Sequence, residues 1–401
     1  MKKLIFILIC VIAGLFIAGV AFSQPVLTAS EKEGTDYYKQ GKTGEAIASF
    51  KKALTENPQS LYSINALGNL YYMNQNYQDA YLIAGQGVKL SNGAPNFMVV
   101  KAKAAIRINK AQEALTMIDN YLKTHEPDFM MLYVKGTAFT ALGDLQQALV
   151  FLSQSISANP NFPDAYLARG KDFGGINRYP QALKDYDKYI SLRDDDDEGY
   201  NMRGQVYYFT QKTAEAIADY TKAIQLNPKQ KYALNNRGIV YRESKQTDKA
   251  ISDFNAAISI DPNYADPYFE SAILYKDAGD YAKVLTLINK AVALQPNRAI
   301  FYSLQCQTYL RLDKYNEGLA AAEKVLQLEP KNPEGYLGKA SALYDLEKFD
   351  AAIQVATTGI SINPDYYLLY AIRASFYRQK GSTALAEADD LKAKQLAANI
   401  K

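Results

Sequence analysis

Tyr200-Asn201-Met202-Arg203-Gly204-Gln205-Val206-Tyr207, followed after a short polar turn by Ala216-Ile217-Ala218-Asp219-Tyr220-Thr221-Lys222-Ala223-Ile224-Gln225-Leu226-Asn227-Pro228, decides how the whole chain is read. Tyr207, Ala216, Tyr220 and Ala223 fall at helical spacing, as do Tyr241, Ala250, Phe254 and Ala257 one step further on. Proline lacks an N–H and clashes with the preceding turn, so Pro228 ends the second helix and separates this pair of helices from the next.

The step between the two segments is thirty-four residues, and it never slips. From Ala46 it lands on Ala80, Ala114, Ala148, Ala182, Ala216, Ala250, Val284, Gly318, Ala352 and Ala386. Twelve residues upstream runs a second small series: Gly34, Gly68, Ala102, Gly136, Gly170, Gly204, Gly238, Ala272, Cys306, Ala340 and Ala374. Twelve residues downstream come the breakers Pro58, Pro160, Pro228, Pro262, Pro296, Pro330 and Pro364, with Pro127 one place late and Asn92 and Asp194 as turn-compatible substitutes. A thirty-four-residue period holds two helices of about a dozen residues and two short turns. Small side chains in the two series let those helices approach closely. The frame predicts eleven helical hairpins over 27–400, bounded 27–60, 61–94, 95–128, 129–162, 163–196, 197–230, 231–264, 265–298, 299–332, 333–366 and 367–400.

This pattern resembles the tetratricopeptide repeat family, and the quoted segments match its consensus across essentially the whole chain after the N-terminus. The resemblance implies an all-α, right-handed superhelical solenoid of stacked helix-turn-helix repeats, its concave groove lined by the first helix of every repeat. Two departures stand out. The family's early tryptophan is tyrosine at Tyr166, Tyr200, Tyr268, Tyr302, Tyr336 and Tyr370, which accounts for part of a composition of 32 Tyr and no Trp. Its early leucine is basic at Arg169, Arg203 and Arg237, where the expectation is a buried stem with the head snorkelling to water.

The family's groove positions carry basic Lys39, Lys103, Arg107, Lys171, Arg242, Lys276, Arg311 and Arg378. They also carry acidic Glu31, Asp164, Glu198, Glu243, Asp266, Asp277, Glu334 and Asp345. Equal numbers of the two signs argue against the continuous basic stripe that nucleic acid requires. The formal net charge is +3, two units of it from Lys2 and Lys3, so no general attraction to polyanions follows. Interleaved are Asn65, Asn69, Tyr72, Asn201, Gln205, Tyr208, Asn235 and Asn236. Amides donate and accept, so with Arg242 this row is the candidate site for a protein partner or an extended peptide. A carrier of a non-protein ligand, such as a glycan fragment in the same groove, is the alternative.

Nothing in the sequence calls for chemistry. No phosphate-cradling loop, paired-cysteine metal motif or nucleophile–histidine arrangement stands out, so no catalytic, cofactor-binding or metal-ligating residue is expected. Cys306 occupies a spacer position, and His125, the sole histidine, falls in a turn. The run Asp194-Asp195-Asp196-Asp197-Glu198 precedes a helix start, where carboxylates cap it. Gly174 and Gly175, ahead of Pro180, form the softest point and a candidate hinge.

Lys2 and Lys3, the small or apolar run from Leu4 to Phe22, and Ala21-Phe22-Ser23 ahead of Gln24 read as an export signal over residues 1–23. That places the body in the periplasm or outside the cell. The run is also about long enough to cross a bilayer, so the alternative is an uncleaved inner-membrane anchor with the body facing the periplasm. Cys10 lies inside the apolar run, which argues against lipidation, and cleavage leaves Cys306 without a disulfide partner.

Overall fold

The computed structural model describes residues 26–399, so the expected export signal at 1–23 lies outside the described residues. Among these there are 22 α-helices and no strand. In order they are α1 (Ala29–Lys39), α2 (Thr43–Glu56), α3 (Leu61–Met73), α4 (Tyr77–Leu90), α5 (Pro95–Arg107), α6 (Ala111–Leu122), α7 (Phe129–Leu142), α8 (Leu145–Ala158), α9 (Pro163–Gly175), α10 (Tyr179–Leu192) and α11 (Asp197–Phe209). There follow α12 (Thr213–Leu226), α13 (Lys231–Glu243), α14 (Thr247–Ile260), α15 (Asp266–Asp277), α16 (Tyr281–Leu294), α17 (Ala299–Arg311), α18 (Tyr315–Leu328), α19 (Pro333–Asp345), α20 (Phe349–Ile362), α21 (Tyr367–Gln379) and α22 (Thr383–Ala398). The chain divides into two compact units between Val206 and Tyr207, within α11. Gly174 and Gly175 lie inside the first unit, at the end of α9. Each unit is an all-α helical-repeat solenoid. No described helix is long and apolar enough to cross a membrane.

The turn inside each hairpin has one chemistry. At every thirty-four-residue step from 41 to 381 the backbone is left-handed, from Gly41 (φ 75°) and Gln75 (φ 62°) to Glu347 (φ 60°) and Gly381 (φ 74°). The next N–H then reaches back to the first helix: Asn76 N donates to Tyr71 O at 2.8 Å, and Lys348 N to Leu343 O at 2.9 Å. This is the Schellman closure, which satisfies carbonyls the helix end leaves open. Glycine enters this conformation without penalty, yet only Gly41, Gly143, Gly279 and Gly381 are glycines. The others accept the strain because the closure holds the turn.

The two small series do what their spacing implies. Ala46, Ala80, Ala114, Ala148, Ala182, Ala216 and Ala250 are 0% exposed, at the crossing of the paired helices. Gly34, Gly136, Gly170 and Gly238 of the upstream series each receive a large side chain. A Cβ on Gly238 would stand 2.5 Å from Phe254 Cε1, and one on Gly170 2.7 Å from Tyr186 Cε1. Cys306 is 2% exposed, as a spacer should be, and burial pushes its thiol up to about 12.

Tyrosine in place of the family's tryptophan has a hydrogen-bonding reason. Tyr166, Tyr268, Tyr302 and Tyr336 donate their hydroxyls to the carbonyls of Pro160, Pro262, Pro296 and Pro330 at 3.0–3.2 Å, and Tyr200 does the same to Asp194 at 3.3 Å. The ring packs while the hydroxyl ties down the turn before it.

The snorkelling expected of the early arginines is not found. Arg169 grips Asp185 with Nε and Nη2 at 2.8 and 2.7 Å, and its Nη1 reaches Ser153 at 3.0 Å. Arg237 does the same to Asp253 and Thr221, and Arg373 to Asp389 and Thr357. Arg203 bonds Asp187 at 2.7 Å. In each full clamp the carboxylate sits sixteen residues ahead, in the same hairpin, and the hydroxyl sixteen residues behind, in the previous one. A guanidinium fork that meets a planar carboxylate does not need water, so the head stays inside.

Candidate partner-binding face

Within each unit several first helices touch the first helix of the next hairpin. α3 packs on α5, α5 on α7 and α7 on α9 in the first unit, and α13 on α15, α17 on α19 and α19 on α21 in the second. Second helices contact their flanking first helices but not one another to a comparable extent. The first helices therefore form the tighter layer, and residues at their groove positions line one face of each unit.

On that face the structure groups Asn65, Asn69 and Tyr72 in the first unit. Asn65 is 9% exposed, and its Oδ1 accepts from Asn96 Nδ2 at 3.2 Å and Asn69 Nδ2 at 3.4 Å. Asn69, partly exposed, also donates to Asn65 O at 2.8 Å. Tyr72 presents a partly exposed ring, set edge-on to Tyr77 with centroids 5.3 Å apart. Asn201 (2% exposed) and the partly exposed Gln205 belong to the same unit, on α11.

In the second unit Tyr208 donates its hydroxyl to Glu243 at 2.8 Å, and burial together with that bond pushes the phenol up to about 12. Arg242 lies beside the same carboxylate at 3.5 Å, and its Nε is 3.2 Å from Glu270 Oε2. Burial raises the Glu270 carboxyl above its ordinary value, against the pull of Arg242. Asn235 is 3% exposed, and Asn236 partly exposed. Among the described residues Asn235 Oδ1 has no donor. Its counterpart Asn65 is served by Asn69 and Asn96, and at the equivalent steps stand Ile239, which cannot donate, and Asp266, a carboxylate.

The structure thus qualifies the amide row. Asn65, Asn201 and Asn235 are buried among the helices, while Asn69, Tyr72, Gln205, Tyr208, Asn236 and Arg242 keep partial exposure. The charge balance shifts as well. Glu31 is 5% exposed, closes a capping box with Thr28, and accepts from Ser60 and Ser63. Glu270, one place off the groove positions, went unnoticed in the sequence. Its signal would have been its place on the next first helix, opposite Arg242.

The conspicuous residues elsewhere have local work. Asp196 accepts from Glu198 N at 3.0 Å and from the Tyr189 hydroxyl at 2.7 Å, and Glu198 pairs with Lys171 at 2.5 Å. The acidic run therefore caps α11 and forms ion pairs. His125 stacks on Tyr121 with ring centroids 4.1 Å apart. Among the described residues no three His, Cys, Asp or Glu side chains gather as a metal ion would need.

Family comparisons bear on this architecture. Tetratricopeptide repeat models match residues 99–164, 198–230, 232–264 and 309–375. The chain carries tetratricopeptide repeats. A model of the anaphase-promoting complex, cyclosome, subunit 3 matches residues 39–121. No curated protein matches the repeat chain significantly. Among solved structures it is similar to the APC/C hetero-tetramer Cut9-Hcn1, at 13% identity over 93% of this chain and 94% of that one, TM-score 0.47. Yeast Tom70 matches at 14% identity over 92% and 91%, TM-score 0.46. A tetratricopeptide repeat protein from Parabacteroides merdae matches at 20% identity over 62% and 98%, TM-score 0.48.

Proposed function

We propose that this protein is a non-enzymatic scaffold of eleven repeats over 27–400, exported behind residues 1–23, that binds extended segments of protein partners and assembles complexes at the cell envelope. The contact of α3 with α5 carries this reading, because it joins the helix bearing Asn69 and Tyr72 to the next first helix, and in the second unit the Tyr208 hydroxyl bonds Glu243 beside Arg242. Side chains that pack, donate and accept on one continuous face suit a polypeptide, whose backbone offers both partners at every residue.

The test is a display library of unstructured peptides, panned on the full chain and repeated with Asn69→Ala and Tyr72→Ala. Retained peptides should lose about tenfold in affinity, the effect of one hydrogen bond or ring contact. Retention indifferent to both variants, or binding of glycans and no peptide, would refute the assignment. Fractionation of expressing cells tests export separately, and a protein recovered wholly in the cytoplasm would overturn that part.

A further inference from the structure

The first unit holds four cations at groove positions. Lys39 faces Asp36 at 3.6 Å and Lys171 faces Glu198 at 2.5 Å. Lys103 and Arg107 differ: no carboxylate among the described residues comes within ion-pair distance of either. They stand one helical turn apart on α5, and each is held against a tyrosine ring. Lys103 Nζ lies 4.9 Å from the centroid of Tyr72, and the Arg107 guanidinium 4.8 Å from that of Tyr77. With the two rings packed edge to face, the four side chains make a continuous stack, cation to ring to ring to cation. Asp164, whose charge acts on Lys103, is committed to Arg193 at 2.9 Å.

An aromatic face attracts a cation without neutralising it, so neither ring cancels the charge it holds. Burial also holds the Lys103 ammonium below the ordinary lysine range, with Asp164 opposing. A desolvated cation without a counter-ion destabilises the fold unless something brings the missing charge. Packing alone does not call for a lysine here, since a methionine would fill the same space.

Resting on the peptide-binding reading above, we infer that Lys103 and Arg107 form an acid-accepting subsite, taking side-chain carboxylates of an extended peptide beside the Tyr72–Tyr77 ring pair. The peptide backbone runs over Asn69, and its acidic side chains reach the two ammonium and guanidinium heads. Neighbouring apolar or aromatic side chains rest on the exposed part of Tyr72.

The experiment compares a C-terminally amidated decapeptide of alternating Glu and Tyr with its Gln and Tyr counterpart, titrated into the full chain by fluorescence anisotropy. The Glu peptide should bind at least tenfold more tightly and weaken as salt is raised from 50 to 500 mM. Lys103→Met and Arg107→Met should each lose about tenfold for the Glu peptide and little for the Gln peptide. Lys51→Met, which removes a cation over the Tyr71 ring on the second helix α2, should change neither. The melting temperature of Lys103→Met should equal or exceed that of the wild type, which a purely structural lysine would not allow. Equal binding of the two peptides, or salt-independent binding, overturns the subsite and leaves peptide binding standing. Binding of neither peptide, nor of any panned peptide, overturns both. If a neutral peptide with a free C-terminus matches the Glu peptide, the carboxylate recognised is the chain end and the side-chain assignment fails. The salt series uses only wild-type protein, so it decides even where a variant does not fold.

Discussion

Replacing Asp253 with alanine removes the carboxylate on which the Arg237 clamp closes. The Nε and Nη2 bonds, both 2.8 Å, disappear, and only the 3.0 Å bond from Nη1 to Thr221 survives. The side chains of Arg237 and Asp253 are 17% and 7% exposed, so the guanidinium left behind is only partly rehydrated. Breaking a buried pair from one side costs about 3–5 kcal/mol, and the residual exposure of Arg237 places this case near the lower end, about 3 kcal/mol. Repeat arrays couple mainly to nearest neighbours, so the loss should concentrate in α13 and α14 and reach α12 through Thr221. Amide hydrogen exchange reads this locally: protection in α13 and α14 should fall about a hundredfold, with α19–α22 unaffected. The paired change Arg237→Met with Asp253→Leu should restore most of it, because two apolar side chains leave no charge stranded. Unchanged exchange in D253A, or a double variant as damaged as the single losses added together, would refute the idea that the clamp couples hairpins.

Gly238→Ala places a methyl 2.5 Å from the fully buried Phe254 ring and should destabilise the second unit by about 1–3 kcal/mol; a melting temperature within a degree of wild type would contradict that packing. Asp172 is 4% exposed, and burial raises its carboxyl to about 6, against the bond from Thr140. The folded state holds that proton more tightly than the unfolded chain, whose value is the ordinary 3.8, so this group adds stability as pH falls from about 6 towards 4. The contribution is about 3 kcal/mol. Asp172→Asn should remove that pH dependence and raise stability at pH 7, as urea titrations at pH 4.5 and 7 would show, and an unchanged difference between the two pH values would count against it. Cys306, buried and with its thiol pushed up to about 12, should resist thiol reagents at pH 8 until the chain is unfolded; rapid labelling of native protein would contradict the spacer assignment.

Much of the fold was legible because backbone chemistry repeats with the sequence. Ala216 and Gly238 announce close helix crossings whatever surrounds them, and Pro228 cannot continue a helix in any context. The left-handed turn residue was harder to see, since Gln75, Gln211, Lys245 and Glu347 do not advertise that conformation, and the Schellman closure holds them in it. The site was only half legible. Tyr72 and Arg242 lie partly exposed on first helices. Groove positions did not reveal that Asn65 bonds Asn69 and Asn96, or that Asn235 is enclosed.

The sequence by itself determined the period, the helix pairs and the small-against-large contacts, because these depend on residues a few turns apart and on local backbone preference. Tertiary structure alone decided which charges are matched. Arg169, Arg237 and Arg373 find carboxylates sixteen residues away, whereas Lys103 and Arg107 rest on tyrosine rings. Electrostatic pairing depends on distances between side chains of separate helices, and those distances exist only once the helices have packed.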